Sequence, residues 1–408
     1  MLDSDIVKQL KEVFKKLEGT INLEVFSSNH NKSKELIGLL EEVSSTSDKI
    51  KVTHIKKESS FPRFSLKSND KELGIMFSGI PGGHEFSSLI LTILYADKKG
   101  KLPDKNVIDR IKNLKGPISL KTFISLSCEN CPEIVQNLNL MACIKEDFSH
   151  EMIDGEYLSD EVNKLNIQGV PSIFNNTELI HSGKISLINL LEKLEEKFGK
   201  SNIAVHPKET ISTDVVVIGG GPAGVSSAIY TSRKGLHTTL ISDRIGGQLQ
   251  DTKGIENMIS MRYTEGKELS NSLNNHMSDY DINILEHRRV EKIKDGKLKN
   301  LYLSSGEKVQ SKAIIIATGA EWKMLGVEGE KKYNGRGVAF CPHCDGPYYK
   351  GKDICVIGGG NSGVEAAIDL SGIVRSIKLL EFSPKLNADG VLLTKLKKIK
   401  NIEIITNA

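Results

Sequence analysis

Two stretches of the N-terminal half repeat the same alternation of apolar and polar residues. Residues 21–26 read Ile-Asn-Leu-Glu-Val-Phe and residues 118–123 read Ile-Ser-Leu-Lys-Thr-Phe. This period of two is typical of a strand with one buried face. A polar loop and then an amphipathic pattern follow each stretch, which predicts helices over 34–43 and 132–141. The repetition predicts two successive copies of one structural unit.

The two copies also have similar C-terminal parts. A proline opens a later strand in each, at Pro62 and Pro171, and an apolar helix is predicted after it, over 86–95 and 185–198. The order β-α-β-β-α with a proline at the third strand resembles the thioredoxin-like fold. We therefore predict two such folds in tandem. Their predicted boundaries are 1–107 and 108–199.

The C-terminal half changes to near-continuous apolar strands, each running into a glycine-rich turn. Residues 214–218 and 353–357 have this form, which is typical of parallel strands buried on both faces. The polar stretch before them, which contains Pro207, is predicted to be a linker that lets the dithiol domain move. The predicted fold class is thus α/β, with two dinucleotide-binding domains after the tandem folds. The boundaries are 200–213 for the linker and 214–322 and 323–408 for the domains.

The first glycine-rich turn has the spacing of a dinucleotide fingerprint. Gly219, Gly221 and Gly224 would supply a tight turn, a close backbone approach to a pyrophosphate and close helix packing. Asp243 ends the following strand, where a carboxylate accepts a hydrogen bond from a ribose hydroxyl. The strand, the helix and the acid together make this much more specific than the glycines alone.

The second turn repeats the set with Gly358, Gly360 and Gly363, and Glu381 ends the next strand. A carboxylate there accepts from a ribose 2′-hydroxyl and repels a 2′-phosphate. Arg375 lies before that strand rather than at its end. The pattern favours NADH over NADPH.

Two Cys-x-x-Cys pairs accompany the two fingerprints: Cys128 with Cys131, and Cys341 with Cys344. In a reducing compartment such pairs are redox-active or bind metal. A shared zinc site is disfavoured because two whole domains separate the pairs. The remaining cysteines, Cys143 and Cys355, lie in apolar stretches and are predicted to be small core residues.

The first pair has a predicted structural setting. Cys128 is expected where a strand meets the N-terminus of a helix, whose unpaired N–H groups and dipole favour a thiolate. Pro171 is a candidate for the cis-proline that lies beside a dithiol in thioredoxin-like folds.

Composition narrows the classes of partner. The 408-residue chain carries a formal net charge of +3 from mixed acidic and basic residues, and no basic-aromatic stripe, which gives no reason to expect nucleic acid or an anionic membrane. The acidic start has no apolar signal region, and no apolar run has the length of a membrane span. A soluble cytoplasmic protein is expected.

Residues 214–408 resemble the low-molecular-weight thioredoxin reductases, and the whole chain resembles the flavoprotein (F) subunits of bacterial alkyl hydroperoxide reductases. The motifs of the wider resemblance are 246–249, 255–257, 317–319, 341–345 and 358–365. Those of the narrower one are 140–142, 341–347, 379–382 and Pro384.

The resemblance implies an electron path from NADH through FAD to Cys341 and Cys344, then to the first dithiol and on to a peroxiredoxin subunit that reduces hydrogen peroxide and alkyl hydroperoxides. It implies that Cys344 faces the flavin, that Cys341 is the interchange thiol and that Asp345 donates a proton. His343, between these cysteines, either lowers a thiol pKa or is only a loop residue. In the N-terminal pair, Cys128 would be the outward nucleophile and Cys131 the resolving thiol. A homodimer is expected for the full-length form. The other implied cofactor contacts are Pro222, Ala223, Gly247, Gln248, Asn257, Thr318, Gly319, Asn361, Ser362 and Gly363.

The family pattern continues beyond Ala408, with the rest of the nicotinamide domain and a further flavin-contacting segment. We therefore expect an incomplete last domain, FAD binding that is weak or absent, and a thioredoxin-like half that folds alone. Two alternatives stay open at this point. One is a non-catalytic chain that only docks or exchanges disulfides, and the other is a thioredoxin reductase with a fused thioredoxin-like domain.

Overall fold

A computed structural model describes residues 2–201, 210–252, 254–255, 258–320, 323–333, 337–340, 342 and 346–408. The helices are α1 (Ser4–Phe14), α2 (Ser33–Ser44), α3 (Phe86–Ala96), α4 (Lys105–Asn113), α5 (Cys131–Ile144), α6 (Ser159–Lys164), α7 (Leu187–Phe198), α8 (Pro222–Arg233), α9 (Gly266–Ser278), α10 (Glu330–Tyr333), α11 (Asn361–Ser371) and α12 (Gly390–Leu396). The strands are β1 (Ile21–Ser27), β2 (Ile50–Glu58), β3 (Arg63–Ser68), β4 (Lys71–Ser78), β5 (Ile118–Ile124), β6 (Phe148–Asp154), β7 (Ser172–Asn175), β8 (Glu178–Ser182), β9 (Thr210–Ile218), β10 (Thr238–Ser242), β11 (Gly254–Ile255), β12 (Thr264–Glu265), β13 (Ile282–Glu286), β14 (Val290–Lys294), β15 (Lys299–Leu303), β16 (Lys308–Ile316), β17 (Asp353–Ile357), β18 (Ser376–Glu381) and β19 (Ile402–Thr406). Short 3₁₀ turns occur at Gly83–Glu85, Gly247–Asp251 and Gly346–Tyr349.

The chain divides into two compact units, each made of segments that are not contiguous in sequence. The first comprises Met1–Gly100, Pro117–Lys184 and Leu325–Ala408, and the second comprises Lys101–Gly116 and Ile185–Met324. None of the helices in the described ranges is both long and apolar enough to cross a membrane.

An eight-stranded sheet in the first unit contains the predicted repeat. Its order is β2-β1-β3-β4-β6-β5-β7-β8. In each half a parallel pair (β1 with β2, β5 with β6) is extended by two antiparallel strands. The tandem thioredoxin-like architecture is therefore confirmed. The two halves share one sheet because β4 pairs with β6, which removes two exposed strand edges.

A buried polar network links helices of the two repeats. The His150 ring lies between Thr122 and Asn139, at 2.8 Å from the Thr122 Oγ1 and 2.6 Å from the Asn139 Oδ1. The Asn139 amide in α5 donates to Thr92 in α3 at 2.9 Å. Burial lowers the pKa of His150 to about 3, so the ring is neutral and its two nitrogens serve as one donor and one acceptor.

A three-stranded parallel sheet, β17-β18-β19, forms the other part of the first unit, with α11 packed on it. Cys355 lies in β17 and is exposed, so the prediction that it is a core residue was wrong. The reason is its place on an edge strand of this sheet, of which the described residues cover one face and not the other. Cys143 in α5 fits its prediction only in part, because it is half-buried rather than in the core, although burial raises the pKa of its thiol to about 12.

The second unit is built around a six-stranded sheet with the order β13-β10-β9-β16-β15-β14. The neighbouring pairs among β13, β10, β9 and β16 are parallel, and β14, β15 and β16 form an antiparallel meander. Val215 and Val217 face one apolar cluster and Val216 faces another, as predicted for a strand buried on both sides. Because β9 begins at Thr210, the last residues of the predicted linker belong to a strand.

Two helices that flank the dithiol fold in sequence, α4 and α7, also belong to the second unit. Arg110 in α4 holds Glu195 in α7 through two hydrogen bonds of 2.8 Å. The backbone segments that follow the two helices are also in contact, because the Lys115 N–H donates to the Gly199 carbonyl at 3.0 Å. These contacts join the two helices to each other.

Candidate functional site

The first dithiol lies in the loop between β5 and α5. Cys131 is the first residue of α5, with Pro132 in the first turn. Cys128 lies three residues earlier, and its N–H donates to the Ser125 carbonyl at 2.9 Å. We predicted Cys128 at the helix N-terminus, but that place is occupied by its partner. Both thiols are free.

The peptide bond between Val170 and Pro171 is cis, which confirms the predicted isomer. The Cys128 Sγ lies 3.8 Å from the Val170 carbonyl oxygen, the group immediately before the cis bond. The proline thus turns a main-chain acceptor toward the first sulfur of the pair.

Both sulfurs are buried. Cys128 is 1% exposed and Cys131 is 0% exposed, so the outward orientation expected for Cys128 was wrong in this conformation. Burial, followed by the hydrogen bond with Cys128 and its charge, raises the pKa of Cys131 well above its usual range. Cys131 is therefore a protonated thiol at neutral pH and must lose its proton before it can attack a disulfide. A cavity of about 440 Å³, with Ser127 and Val170 in its wall, borders the dithiol loop.

Glu85, which sequence reasoning missed, reaches the dithiol from the first repeat. It ends the Gly83–Glu85 turn, and a Cβ on Gly83 would lie 3.0 Å from the Leu126 carbonyl oxygen of the dithiol loop. Directly after it, Ser87 and Ser88 accept hydrogen bonds from Gln136 in α5 at 3.1 and 3.3 Å. These contacts hold the carboxylate at the start of α5, and its charge contributes to the raised pKa of Cys131.

The environment of Glu85 favours its neutral form. The residue is fully buried, and burial together with the charge of Asp154 raises its pKa to about 7. Ser88 lies close enough to lower the pKa, but neither carboxylate oxygen has a partner in good hydrogen-bond geometry among the described residues. A carboxyl group with a pKa near neutrality can accept and release a proton under working conditions. The only signal in the sequence was a glutamate directly before a predominantly apolar helix.

Asp154 is a second buried acid that the sequence did not reveal. It ends β6 and lies level with Ile124, the last residue of β5, so it stands beside the start of the dithiol loop. Its side chain lines the cavity, its Oδ2 is buried without a partner among the described residues, and burial raises its pKa.

The first glycine fingerprint has the geometry that dinucleotide binding requires. It joins the end of β9 to α8, whose N-cap is Gly221. Gly219 has φ of +116°, and a Cβ on Gly224 would overlap the Gly219 carbonyl oxygen, so α8 packs directly on the turn. A Cβ on Gly221 would meet nothing within 4 Å. The N-terminus of α8, formed by Pro222 and Ala223, is open to an anion such as a pyrophosphate.

The structure brings the other predicted flavin contacts to this turn. Gly246 donates to the Gly220 carbonyl at 2.8 Å, and a Cβ on Gly247 would lie 3.2 Å from the Gly221 Cα. The Gln248 amide donates to the carbonyl of Ala320, directly after Thr318 and Gly319. Thr318 and Gly319 are exposed at the mouth of the turn.

Asp243 follows the last residue of β10 beside these groups. Its Oδ2 accepts a hydrogen bond from Ser186 at 2.9 Å and lies 3.5 Å from the Arg289 guanidinium. Its Oδ1 is buried without a hydrogen-bond partner among the described residues. An unsatisfied acceptor one strand from an open glycine turn fits a ribose hydroxyl. These residues therefore fit the adenosine half of FAD.

The second fingerprint repeats this geometry in the first unit. It joins β17 to α11, with Asn361, Ser362 and Gly363 in the first turn. A Cβ on Gly363 would overlap the Gly358 carbonyl oxygen, whereas a Cβ on Gly360 would meet nothing within 4 Å. The site therefore fits a second dinucleotide. The Asn361 side chain is engaged with Asp389, to which it donates at 3.0 Å and from whose N–H it accepts at 2.8 Å.

Glu381 is 5% exposed and supports the loop that carries the fingerprint. Its Oε2 accepts from the Gly359 N–H at 2.6 Å and its Oε1 from the Ser383 N–H at 2.8 Å. Hydrogen bonds from Ser383 and then Gly359 lower the pKa of this carboxyl, which is ionised at neutral pH. Arg375 lies at the other end of the strands, where its Nε is 2.7 Å from Asp353.

Five predicted residues lie outside the described parts of the chain. They are Asn257, Cys341, His343, Cys344 and Asp345.

Comparisons with known proteins agree with this division of sites. Residues 119–196 match the family model of a thioredoxin domain, and residues 213–408 match that of a pyridine nucleotide-disulphide oxidoreductase. The F subunit of alkyl hydroperoxide reductase in Staphylococcus aureus is 44% identical over 409 aligned residues, which cover 100% of this chain and 79% of that protein. The chain belongs to the family of alkyl hydroperoxide reductase F subunits.

Other relatives of the family carry a different name. Proteins called NADH dehydrogenase from Ferdinandcohnia aciditolerans and Bacillus subtilis are 43% and 42% identical over 408 residues, covering 100% of this chain and 78% and 79% of theirs. Members of the F-subunit group are oxidoreductases, and membership implies that this chain binds FAD and a nicotinamide dinucleotide.

Proposed function

We propose that this chain is an NADH-dependent flavoprotein disulfide reductase that passes electrons to a peroxiredoxin, and so supports the reduction of hydrogen peroxide and alkyl hydroperoxides. The observation that carries the proposal is the match of the whole chain to the F subunit of alkyl hydroperoxide reductase, in a chain whose dithiol lies against a cis-proline. The two glycine turns that fit dinucleotides support it further.

The N-terminal dithiol performs the last transfer. The Cys128 thiolate attacks one sulfur of the partner's disulfide, forms a mixed disulfide and releases the other sulfur as a thiolate. The Cys131 thiol then loses its proton and attacks the Cys128 sulfur, which releases the second partner sulfur and closes the Cys128–Cys131 disulfide. Two electrons pass to the partner, whose two thiolates take up two protons.

Glu85 is the base that this sequence of steps needs. Cys131 must be deprotonated at the moment it attacks, although its buried thiol has a raised pKa. A buried carboxylate with a pKa of about 7 accepts that proton more readily than a fully acidic one. Its position at the start of α5 supports this role.

The other end of the path uses the two glycine turns. Bound FAD supplies the chemistry that links hydride transfer from a nicotinamide to dithiol reduction. The Gly219–Gly224 turn, Asp243 and the residues around Gly247 and Thr318 would hold it. We assign Cys341 and Cys344 to the interchange and flavin-facing thiols, and Asp345 to the proton donor beside them.

We assign the Gly358–Gly363 turn to NADH. The ionised, buried Glu381 beside Gly359 disfavours the 2′-phosphate of NADPH. Asp353 holds Arg375 at the amino ends of the parallel strands. Arg375 is therefore not available to a phosphate at their carboxyl ends.

The family membership supports a proposal for the partner. We propose a peroxiredoxin subunit as the electron acceptor, a homodimer as the assembly and the cytoplasm as the location.

The test is a reconstituted assay with NADH, the purified chain, a peroxiredoxin and a peroxide. NADH consumption that depends on both the peroxiredoxin and the peroxide is expected. Cys128→Ser is expected to abolish that dependence and to leave flavin reduction by NADH intact, with Cys143→Ser as a matched control. Loss of flavin reduction by NADH in Cys128→Ser would show that the proposed order of electron transfer through the two dithiols is wrong.

Direct oxidation of NADH is a second candidate, favoured by the name NADH dehydrogenase that two relatives carry. Under this alternative the peroxiredoxin has no effect on the rate, and the Cys128→Ser chain consumes NADH as fast as the unchanged chain. The same assay therefore separates the two functions.

A further inference from the structure

The helix pair of α4 and α7 contacts the sheet of the second unit and its loops through residues at or near the helix N-termini. The Asn106 side chain, in the first turn of α4, donates to Glu307. The other two contacts use the side chains that cap the helices. Asp104, the N-cap of α4, forms an ion pair with Arg288, and Ser186, the N-cap of α7, donates to Asp243. Each of these side chains therefore both caps a helix and binds a residue of the sheet or its loops. Asp104, for example, also accepts hydrogen bonds from the Asn106 and Val107 N–H groups.

Arg288 is the centre of the contact and is only 2% exposed. Besides Asp104 it holds Glu307, through Nε at 2.7 Å and an Nη at 3.0 Å. Its own backbone N–H donates to the Ser242 carbonyl at 3.1 Å, directly before Asp243. A buried guanidinium held by two carboxylates is a specific arrangement, because the charge of Arg288 stays compensated only while a carboxylate remains beside it.

A second ion pair leads to the same loop. The Lys101 Nζ lies 3.7 Å from the Glu286 Oε2, and the Glu286 Oε1 accepts from the Ile245 N–H at 3.2 Å. The neighbouring His287 N–H donates to the Asp243 carbonyl at 3.1 Å. The residues on both sides of Asp243 are thus tied to Arg288, which α4 contacts, and to Glu286, which pairs with Lys101 in the segment before α4.

The two oxygens of the Asp243 carboxylate have different surroundings. Ser186 and Arg289 occupy the Oδ2, while the Oδ1 is buried and has no partner among the described residues. With one oxygen fixed, the rotation of the carboxylate is restricted and the other oxygen is oriented before a ligand arrives.

We infer that Ser186 is a positioning residue for FAD: docking of the α4–α7 pair orients Asp243 toward the flavin's ribose, so docking and FAD binding strengthen each other. The inference rests on the proposed function, because it takes the first glycine turn as the FAD site. Reciprocity follows from linkage, since whatever factor docking contributes to FAD affinity, FAD contributes to docking.

The first measurement is FAD affinity by quenching of flavin fluorescence. Ser186→Gly removes the hydroxyl but leaves a residue that still caps helices well. It is expected to raise the Kd for FAD on the order of tenfold, the effect of a lost hydrogen bond to a charged group. Ser186→Thr keeps the hydroxyl and is expected to restore the affinity.

A second variant separates docking from direct contact. Asp104→Asn keeps the N-cap of α4 and leaves Arg288 paired with Glu307, but it removes the ion pair between α4 and the sheet. Asp104 acts on Asp243 only through Arg288 or through docking, because the Arg288 N–H donates to the Ser242 carbonyl and Asn106 still donates to Glu307. A weaker FAD affinity together with a lower yield of the Lys101–Glu286 cross-link described below assigns the effect to docking. Asp3→Asn, the same change at the N-cap of α1, is the matched control and is expected to bind FAD as the unchanged chain does.

The second measurement is docking itself. A carbodiimide joins Lys101 to Glu286 without a spacer, and peptide mass spectrometry quantifies the product. Its yield is expected to rise when FAD is added, and this rise is expected to be lost in Ser186→Gly. Unchanged FAD affinity in both Ser186→Gly and Asp104→Asn, or failure of Ser186→Thr to restore binding, would overturn the inference. If the unchanged chain bound no FAD, the proposed function would fail together with it.

Discussion

The Cys128 sulfur lies 3.8 Å from the carbonyl oxygen of Val170, the residue that precedes the cis-proline. This contact joins two parts of the second thioredoxin-like repeat at the point where disulfide exchange takes place. Cys131 is as fully buried as Cys128, and the charge of Glu85 from the first repeat contributes to its raised pKa. The different surroundings of the two sulfurs support the distinct roles proposed for them.

Replacement of Cys131 by serine should trap the partner. Without the resolving thiol, the mixed disulfide on Cys128 cannot be released. We expect a covalent adduct with the peroxiredoxin that disappears on addition of a reductant, visible by non-reducing electrophoresis. The Cys143→Ser chain should form none, because Cys143 is not at the dithiol. Absence of an adduct in Cys131→Ser would exclude Cys128 as the attacking thiol.

The pH dependence of local stability should report on Glu85. Its pKa is about 7 in the folded chain against an ordinary value of 4.5. The neutral form is favoured by folding, so its contribution to stability is complete below pH 4.5 and is lost as the pH rises through 7. The difference amounts to about 3 kcal/mol at most.

Glu85→Gln should remove that dependence. Because a chain of several domains has no single free energy of unfolding, the measurement is amide hydrogen exchange in β5 and α5. Protection in the unchanged chain should fall from pH 4.5 toward pH 7, after correction for intrinsic exchange, and should stay level in Glu85→Gln. The variant should also close the dithiol more slowly, since it lacks the base for Cys131. Identical profiles for both chains would contradict the role of Glu85.

The nicotinamide preference should follow Glu381. We expect kcat/KM for NADH to exceed that for NADPH by about tenfold or more, equivalent to about 1.4 kcal/mol. Arg375→Ala is the control. It should leave the ratio of kcat/KM for NADH to that for NADPH unchanged, because this side chain pairs with Asp353 at the amino ends of the strands. Comparable values for the two dinucleotides would refute the assignment.

Close packing at the first fingerprint should make Gly224 intolerant of a side chain. A Cβ there would overlap the Gly219 carbonyl oxygen, so Gly224→Ala should displace α8 at a cost of about 1–3 kcal/mol. The flavin-to-protein absorbance ratio should fall accordingly. Gly372→Ala adds the same methyl group where nothing lies within 4 Å and should retain the ratio of the unchanged chain. Equal flavin content in both variants would mean that this turn does not hold the flavin.

Local pattern determined a large part of this protein. The alternation over 21–26 and 118–123, the apolar runs before the two glycine turns and the proline at 171 predict the tandem folds, both dinucleotide turns and the cis bond. These features can be predicted from the sequence because each depends on residues that are close together in the chain. Strand periodicity, glycine sterics and proline geometry all act at this short range.

Only the tertiary structure decided which distant residues meet. The pairing of β4 with β6 brings Glu85 of one repeat to the dithiol of the other, and the docked α7 brings Ser186 to Asp243. The same lack of information explains the errors at Cys128 and Cys355, whose exposure depends on what packs over a loop and on which strand is at an edge. Hydrophobic periodicity specifies which face of an element is buried, but not which element buries it, because the driving force is non-directional.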